Sequence, residues 1–369
     1  MSPRTVEPPA LAAFLTDVTR AHGVPPEDAA LLADTLLVAE LWGHPSHGAI
    51  RLPWYLARIR SGAMRAVTDV ETVRDSGSVV VLDGHDGLGQ VVTQRAVELG
   101  VERARTHGIS AVAVRRSGHF GTAAYFTRYA AERGCVAILA TNASPAMAPW
   151  GGRTKLVGTN PWSIAAPGPD GDVLVMDMAN TAVARGKVYV AADRGEPIPE
   201  GWGARADGTP TTDPREAIEG LISPVGGAKG YVMSFMFDVL AGVLTGSAFG
   251  SDVVGPYRPE GASGAGHLLL TLDVAAVADP EDYDARVAAL VAQVRGSEAA
   301  AWSDGVLTPG ELEDRSRRRA EADGIRVSDQ TWTELATLAD ATGVPLPPAF
   351  DDSAATTTTT STTTPKEHA

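Results

Sequence analysis

Four segments of this chain combine polar side chains with glycine in a manner that core packing does not require. In Gly43-His44-Pro45-Ser46-His47-Gly48-Ala49-Ile50-Arg51, His47 and Arg51 stand one helical turn apart and can face the same way. An imidazole titrates at about pH 6.5, which suits a proton donor to a carbonyl oxygen as hydride reaches its carbon. A guanidinium one turn away can clamp a carboxylate through two parallel hydrogen bonds. A purely structural reading stands beside this one, with His47 as a helix cap and Arg51 as a surface charge.

The second segment, Ser117-Gly118-His119-Phe120-Gly121, lies between an expected strand and an expected helix. Loops at the carboxyl ends of strands are where α/β proteins place their sites, although His119 can also be a satisfied loop histidine. The third runs from Thr141-Asn142-Ala143-Ser144-Pro145 through Pro149-Trp150-Gly151-Gly152 to Gly158-Thr159-Asn160-Pro161. A Gly/Pro/Asn loop of that length inside a compact domain is more often functional than idle. The fourth, Gly226-Gly227-Ala228-Lys229-Gly230-Tyr231, opens an apolar helix. Free backbone amides at a helix N-terminus bind phosphate without any fingerprint. The helix dipole disfavours a cation there, so Lys229 points to a bound anion.

These segments need elements to position them. Apolar spacing predicts helices over the first ~60 residues, including one started by Pro25-Pro26-Glu27-Asp28 and a third over 52–59. The period then changes. Strands are expected at 79–82, 111–114, 136–141, 162–166, 173–177 and 267–272, with helices at 90–106, 122–132, 181–192 and 229–244. Helices at 280–295, 310–322 and 328–341 follow. The pattern predicts an α/β middle domain, 73–279, flanked by a helical lobe that joins 1–72 with 280–345. The tail, 350–369, has no apolar periodicity and is expected to be disordered.

The 369 residues are 44% hydrophobic, enough for a large core, and carry a net charge of −14. That balance argues against nucleic acid, which needs clustered Lys and Arg. The single cysteine, Cys135, permits neither an intramolecular disulfide nor a multi-cysteine metal site. With no basic start before an apolar run, a secretory leader is not expected; nor is a membrane span, so a cytoplasmic protein is. No G-x-G-x-x-G lies between a strand and a helix: Gly87-Leu88-Gly89 is too short, and Gly264-Ala265-Gly266 precedes a strand. Arg185-Gly186-Lys187-Val188 lacks the hydroxyl of a P-loop, and neither G-x-S-x-G nor H-E-x-x-H occurs. A nucleotide, if bound, binds outside a Rossmann fingerprint.

Taken in order, the segments resemble the malate/L-lactate dehydrogenase family that is distinct from the Rossmann lactate dehydrogenases. The family includes ureidoglycolate dehydrogenase, 2,3-diketogulonate reductase, sulfolactate dehydrogenase and Δ1-piperideine-2-carboxylate reductases. The resemblance rests on Ser46-His47-Gly48 with Arg51, Gly118-His119-Phe120-Gly121, Gly158-Thr159-Asn160-Pro161, Asp177-Met178-Ala179, Gly227-Ala228-Lys229-Gly230-Tyr231, Leu244-Thr245-Gly246 and Pro309-Gly310-Glu311. It implies a non-Rossmann α/β fold in which NAD(H) or NADP(H) lies across a large mixed sheet, and a homodimer with each site near the subunit boundary.

The implied activity is hydride transfer on a small 2-oxo/2-hydroxy carboxylic acid. Catalysis would rest on His47, His119, Arg51 and Ser46, with either histidine as acid/base and Arg51 facing the substrate carboxylate. Cofactor contacts would fall on Asn142, Ala143, Ser144, Thr159, Asp177, Met178, Ala179, Lys229, Gly310, Glu311 and Leu312. Ala143 stands where the pattern usually has serine, Asn180 where threonine is common, and Trp42-Gly43-His44 where Arg-Gly is frequent. A cyclic imino acid reductase of the same family is the neighbouring reading. A zinc hydrolase on His44, His47 and His119 is disfavoured, because two ligands three residues apart with proline between them make a poor pair and no activating Glu follows. A non-catalytic binding protein is disfavoured because it has no chemical reason to keep both histidines, Arg51 and Lys229.

Overall fold

A computed structural model describes residues 4–351. Two helices open the chain, α1 (Pro8–Ala21) and α2 (Pro26–Leu41), each with proline in its first turn, where the missing N–H has no intrahelical partner to lose. Leu11, Phe14, Leu15 and Val18 form the buried stripe of α1. Two short 3₁₀ turns, Pro45–His47 and Ala49–Arg51, lead into α3 (Leu52–Ser61).

Seven strands form the central sheet: β1 (Glu71–Asp75), β2 (Val79–Asp83), β3 (Ile109–Ser117), β4 (Cys135–Thr141), β5 (Trp162–Pro167), β6 (Val173–Met178) and β7 (Ala265–Asp273). Their order is β1-β2-β3-β7-β4-β5-β6. Only β2 and β3 pair in parallel, through the crossover helix α4 (Gly89–His107). β7 enters between β3 and β4, antiparallel to both, so the sheet is mixed as expected. Val80, Leu82, Val112, Val114, Leu139 and Leu269 pack on α4 and on α5 (Ala123–Ala131) through Val92, Val97 and Phe126.

α6 (Arg185–Arg194) starts later than the pattern suggested. Thr181 bridges Pro224 and Ala182 N–H bonds Ser223 O, which holds the chain extended before the helix. α7 (Ala228–Asp238) continues only as a wider π turn, Val239–Val243. Gly266 of β7 backs onto that turn; a Cβ there would lie 1.9 Å from Ala241 O.

Besides short helices at Pro214–Glu219 and Val274–Val277, three longer ones follow, α8 (Pro280–Arg295), α9 (Glu311–Asp323) and α10 (Asp329–Thr342), the last capped by Ser328. A second core joins α1, α2, α3 and α10, with Leu32, Leu36, Leu52, Tyr55, Leu56, Leu335 and Val327 buried in it. The two chain ends also pair directly: Arg4–Val6 lies between Ile325–Val327 and Ala349–Asp351. The expected tail thus begins inside a strand, and its remainder, from 352, falls outside the described residues. α8 lies against the Pro169–Gly171 turn, with Tyr283 donating to Pro167 O at 2.9 Å, and reaches α9 through Arg295 and Glu311 at 3.5 Å.

Candidate active site

The turn 43–51 is built over a buried carboxyl group. Glu40, 8% exposed, accepts the Ala49 N–H at 2.8 Å, and burial pushes it up to about 7. Gly48 is obligatory, since a Cβ there would sit 2.2 Å from Glu40 Oε1 and 2.7 Å from its Cγ. The turn brings Ser46, His47 and Arg51 together. Ser46 Oγ lies 3.0 Å from His47 Nδ1, and Arg51 Nε donates to Ser46 O. The Arg51 guanidinium lies over the Trp54 ring, 4.2 Å from its centroid, and no carboxylate among the described residues pairs with it.

His119 arrives from the loop after β3. Its ring stacks on that of His47, with centroids 5.8 Å apart and planes at 17°. Its Nδ1 accepts the Gly121 N–H at 3.3 Å and lies 2.6 Å from Tyr55 Oη. A backbone N–H can only donate, so Nδ1 carries no proton, Tyr55 also donates to it, and the ring hydrogen sits on Nε2. The loop is fixed from behind by Gly89 of α4, where a Cβ would lie 2.5 Å from Gly118 O and 2.6 Å from His119 O. Phe120 packs edge-on against buried His267, whose Nδ1 bonds Thr141 Oγ1 at 2.8 Å.

Burial, reinforced by the Arg51 and His44 charges, lowers His47 to about 3. The same causes, burial first and then Arg51 and His47, hold His119 well below the usual histidine range. Both imidazoles are therefore neutral in the free site at pH 7. His44 takes no part in the pair; it turns to Glu313 of α9 at 3.4 Å.

The expected cofactor residues divide into two groups. Asp177, at the end of β6, is accessible yet closely surrounded by protein. It accepts the Ala124 N–H at 2.8 Å at the start of α5, and crowding raises it to about 6. Met178, Ala179 and Thr159 are partly accessible beside it, with Thr159 O accepting Asn180 N–H. Ala143 N–H donates to Asn160 Oδ1 at 2.8 Å, and Ser144 follows on the same partly open loop. Lys229 is exposed at the N-terminus of α7, behind Gly226 and Gly227, both at positive φ.

The other residues are engaged within the chain. Asn142 is 3% exposed, and its amide is spent on Ala248 O, Asp238 Oδ1 and Gly266 N. Gly310 packs against β6, where a Cβ would meet Val175 Cγ1 at 2.8 Å. Glu311 pairs with Arg315 at 2.7 Å and bonds Thr308, while Leu312 points outward, 61% exposed. Tyr55 was not anticipated, although it continues the 47, 51, 55 spacing by one more turn. Arg185 and Tyr257 gave no local signal; they are 134 and 206 residues from Arg51, and the fold brings Arg185 near it and Tyr257 against Trp54 and Arg185.

A neutral imidazole pair thus stands beside a guanidinium that no carboxylate among the described residues pairs with, on a chain built around a seven-stranded mixed sheet. The description of malate/L-lactate dehydrogenases matches residues 6–336, and the chain belongs to that family. It is 38% identical over 326 residues to the L-sulfolactate dehydrogenase of Methanothermobacter thermautotrophicus, covering 88% of this chain and 94% of that one. It is 40% identical over 323 residues to the (2R)-3-sulfolactate dehydrogenase (NADP(+)) of Chromohalobacter salexigens, covering 86% and 93%. The solved sulfolactate dehydrogenase from Methanocaldococcus jannaschii superposes with a TM-score of 0.87 at 34% identity, covering 93% and 98%. Other matches carry the names malate, L-lactate and ureidoglycolate (NAD(+)) dehydrogenase, and Δ1-piperideine-2-carboxylate reductase.

Proposed function

We propose that this enzyme oxidises a small 2-hydroxy carboxylic acid, or reduces the matching 2-oxo acid, with NAD(H) or NADP(H). The stacked histidine pair beside Arg51 is the observation that carries the reading. The site suits a nicotinamide dinucleotide. Among the described residues, Thr122 Oγ1 and Asn180 Oδ1 are buried without partners near Asp177, the first able to donate to a ligand and the second to accept from one, and Lys229 stands at a helix start built on two left-handed glycines, where a cation and free amides match a diphosphate. Asp177, Met178, Ala179, Thr159, Ala143, Ser144 and Lys229 would hold it. When bound, the nicotinamide is the acceptor or donor of hydride.

The chain's own residues do the rest. Arg51 uses its two terminal nitrogens on the substrate carboxylate, since its Nε is already committed to Ser46 O. His47 takes the hydroxyl proton on Nε2 as the C2–H bond yields hydride, and the new imidazolium keeps Ser46 Oγ as acceptor for its Nδ1–H. His119 cannot gain a proton at Nδ1 without losing both of its donors, so it serves as an Nε2–H donor to the substrate oxygen. The substrate carboxylate, by neutralising Arg51, removes one of the charges that hold His47 neutral.

The apolar edge of α7, with Val232, Phe235 and Met236 about half exposed, supports a homodimer through this helix. The imine reading of the same family differs only in the atom that is protonated, and no residue here favours it.

The test is turnover of lactate, malate and ureidoglycolate with NAD+ and NADP+, and of piperideine-2-carboxylate with the reduced forms. His47→Ala is expected to lower kcat at least about a hundredfold, as for a lost general base. Full activity in that variant would remove His47 from the mechanism, and no affinity for either dinucleotide would sink the reading.

A further inference from the structure

Beside the described site stands a second arginine that the mechanism does not use. Arg185 opens α6, and Gly186 brings that helix onto Ser46; a Cβ on Gly186 would lie 3.2 Å from Ser46 Cβ. The Arg185 guanidinium faces Tyr189 and Tyr257, 5.7 and 5.9 Å from their ring centroids. Tyr257 in turn meets Trp54 edge-on at 6.1 Å, and Trp54 carries Arg51. The chain of rings Trp54, Tyr257 and Tyr189 thus links the two guanidiniums, and the Arg185 charge acts on Arg51. Lys155 adds a third positive charge nearby, its ammonium spent only on the carbonyls of Ile218 and Glu219.

This cluster lacks counter-charge. Among the described residues, no carboxylate lies within 4.0 Å of the charged nitrogens of Arg51, Arg185 or Lys155. Arg185 Nε is buried with no hydrogen-bond partner among the described residues. The chain carries 45 acidic residues against 31 basic ones, so a cation cluster without a carboxylate is not a matter of supply. Crowded like charges and an unmatched buried N–H donor are both unfavourable, and both are relieved by an anion brought from outside. One substrate carboxylate satisfies Arg51 and leaves Arg185 as it is.

We infer that Arg185 is a specificity residue that binds a second anionic group, a carboxylate or sulfonate, at the far end of the substrate, so the enzyme prefers dianionic 2-hydroxy acids. The inference rests on the oxidation reading above and narrows its substrate class. Tyr189 and Tyr257 flank that second group and offer hydroxyls to it, while a methyl group in its place leaves Arg185 unpaired.

The experiment compares kcat/KM for malate and 3-sulfolactate with that for lactate. The wild-type enzyme is expected to favour a dianion by about thirtyfold or more, the scale of one desolvated charge pair. Arg185→Gln should collapse that ratio, mainly through KM, and Arg185→Lys should restore part of it. Malonate, a dianion with no hydroxyl to oxidise, should inhibit the wild-type enzyme far more strongly than propionate, which reads the subsite even where the variants fold poorly. A wild-type preference for lactate, an unchanged ratio in Arg185→Gln, or equal inhibition by malonate and propionate would overturn the inference. Loss of turnover on every hydroxy acid with malonate binding intact would instead count against the oxidation reading alone.

Discussion

At the scale of single residues, the site is governed by which nitrogen of each imidazole is already occupied. Gly121 N–H and Tyr55 lock His119 in one tautomer, whereas the Ser46 hydroxyl can donate to or accept from His47 and so tolerates both of its charge states. The pH dependence follows. A pKa lowered to about 3 leaves His47 unprotonated, and competent as a base, throughout the range where a free histidine would be half charged. The acid limb of kcat/KM for oxidation, which reports the free enzyme, is therefore expected below about pH 5 rather than near 6.5. A pH–rate profile with a limb at the ordinary histidine value would contradict this. Glu40 carries the opposite sign. Its folded pKa, raised to about 7, means that its contribution is complete below the unfolded value of about 4.5 and is lost as pH rises through 7. Glu40→Gln keeps the acceptor for Ala49 N–H and removes the ionisation. The variant should exceed the wild type by no more than about 1 kcal/mol at pH 5 and by on the order of 3 kcal/mol at pH 8, measurable by denaturant unfolding at both pH values.

At the scale of elements, glycines set how closely the parts of the site approach. The helix start at Gly89 touches the backbone of the His119 loop, and backbone cannot swing aside as a side chain can. Gly89→Ala is expected to cost about 1–3 kcal/mol by overpacking and to lower kcat/KM about tenfold by displacing His119. A variant with wild-type melting and wild-type turnover would show that this contact positions nothing. The same logic explains why Gly87-Leu88-Gly89 failed as a nucleotide fingerprint: Gly89 serves packing against 118–119, not a pyrophosphate. The edge strand β1 escaped notice because all five of its residues are exposed, so no apolar alternation marks it. The π turn after α7 escaped because it depends on β7 pressing Gly266 against Ala241 from outside the helix.

At the scale of the whole molecule, α7 looks fully apolar along the sequence, yet it keeps a ridge facing outward. Val232, Phe235 and Met236 are 54%, 49% and 47% exposed, and Val243 and Leu244 extend the ridge past the π turn. If this ridge joins two copies, Phe235→Asp should convert dimer to monomer at micromolar concentration, followed by light scattering, because a charge would be buried without a partner. An unchanged mass would place the interface elsewhere. Lys229 stands at the start of the same helix, so the variant should also weaken dinucleotide binding if site and boundary are coupled.

The sequence by itself settled which side chains are available for chemistry, and it placed most helices and buried strands correctly. Those features follow from residue type and from periods of 3.6 and 2, which a chain carries locally. It put His47 and Arg51 one helical turn apart, whereas the fold breaks that turn at Gly48 into two 3₁₀ turns, so the fold and not a helical repeat sets how the two side chains stand. The mutual placement of His47 and His119 was decided only by the fold. So was the insertion of β7 between β3 and β4, and the approach of Arg185 and Tyr257 to the Arg51–Trp54 pair. Each of these joins residues far apart in the chain, and their encounter depends on how the sheet closes and which surfaces bury together, not on any local repeat.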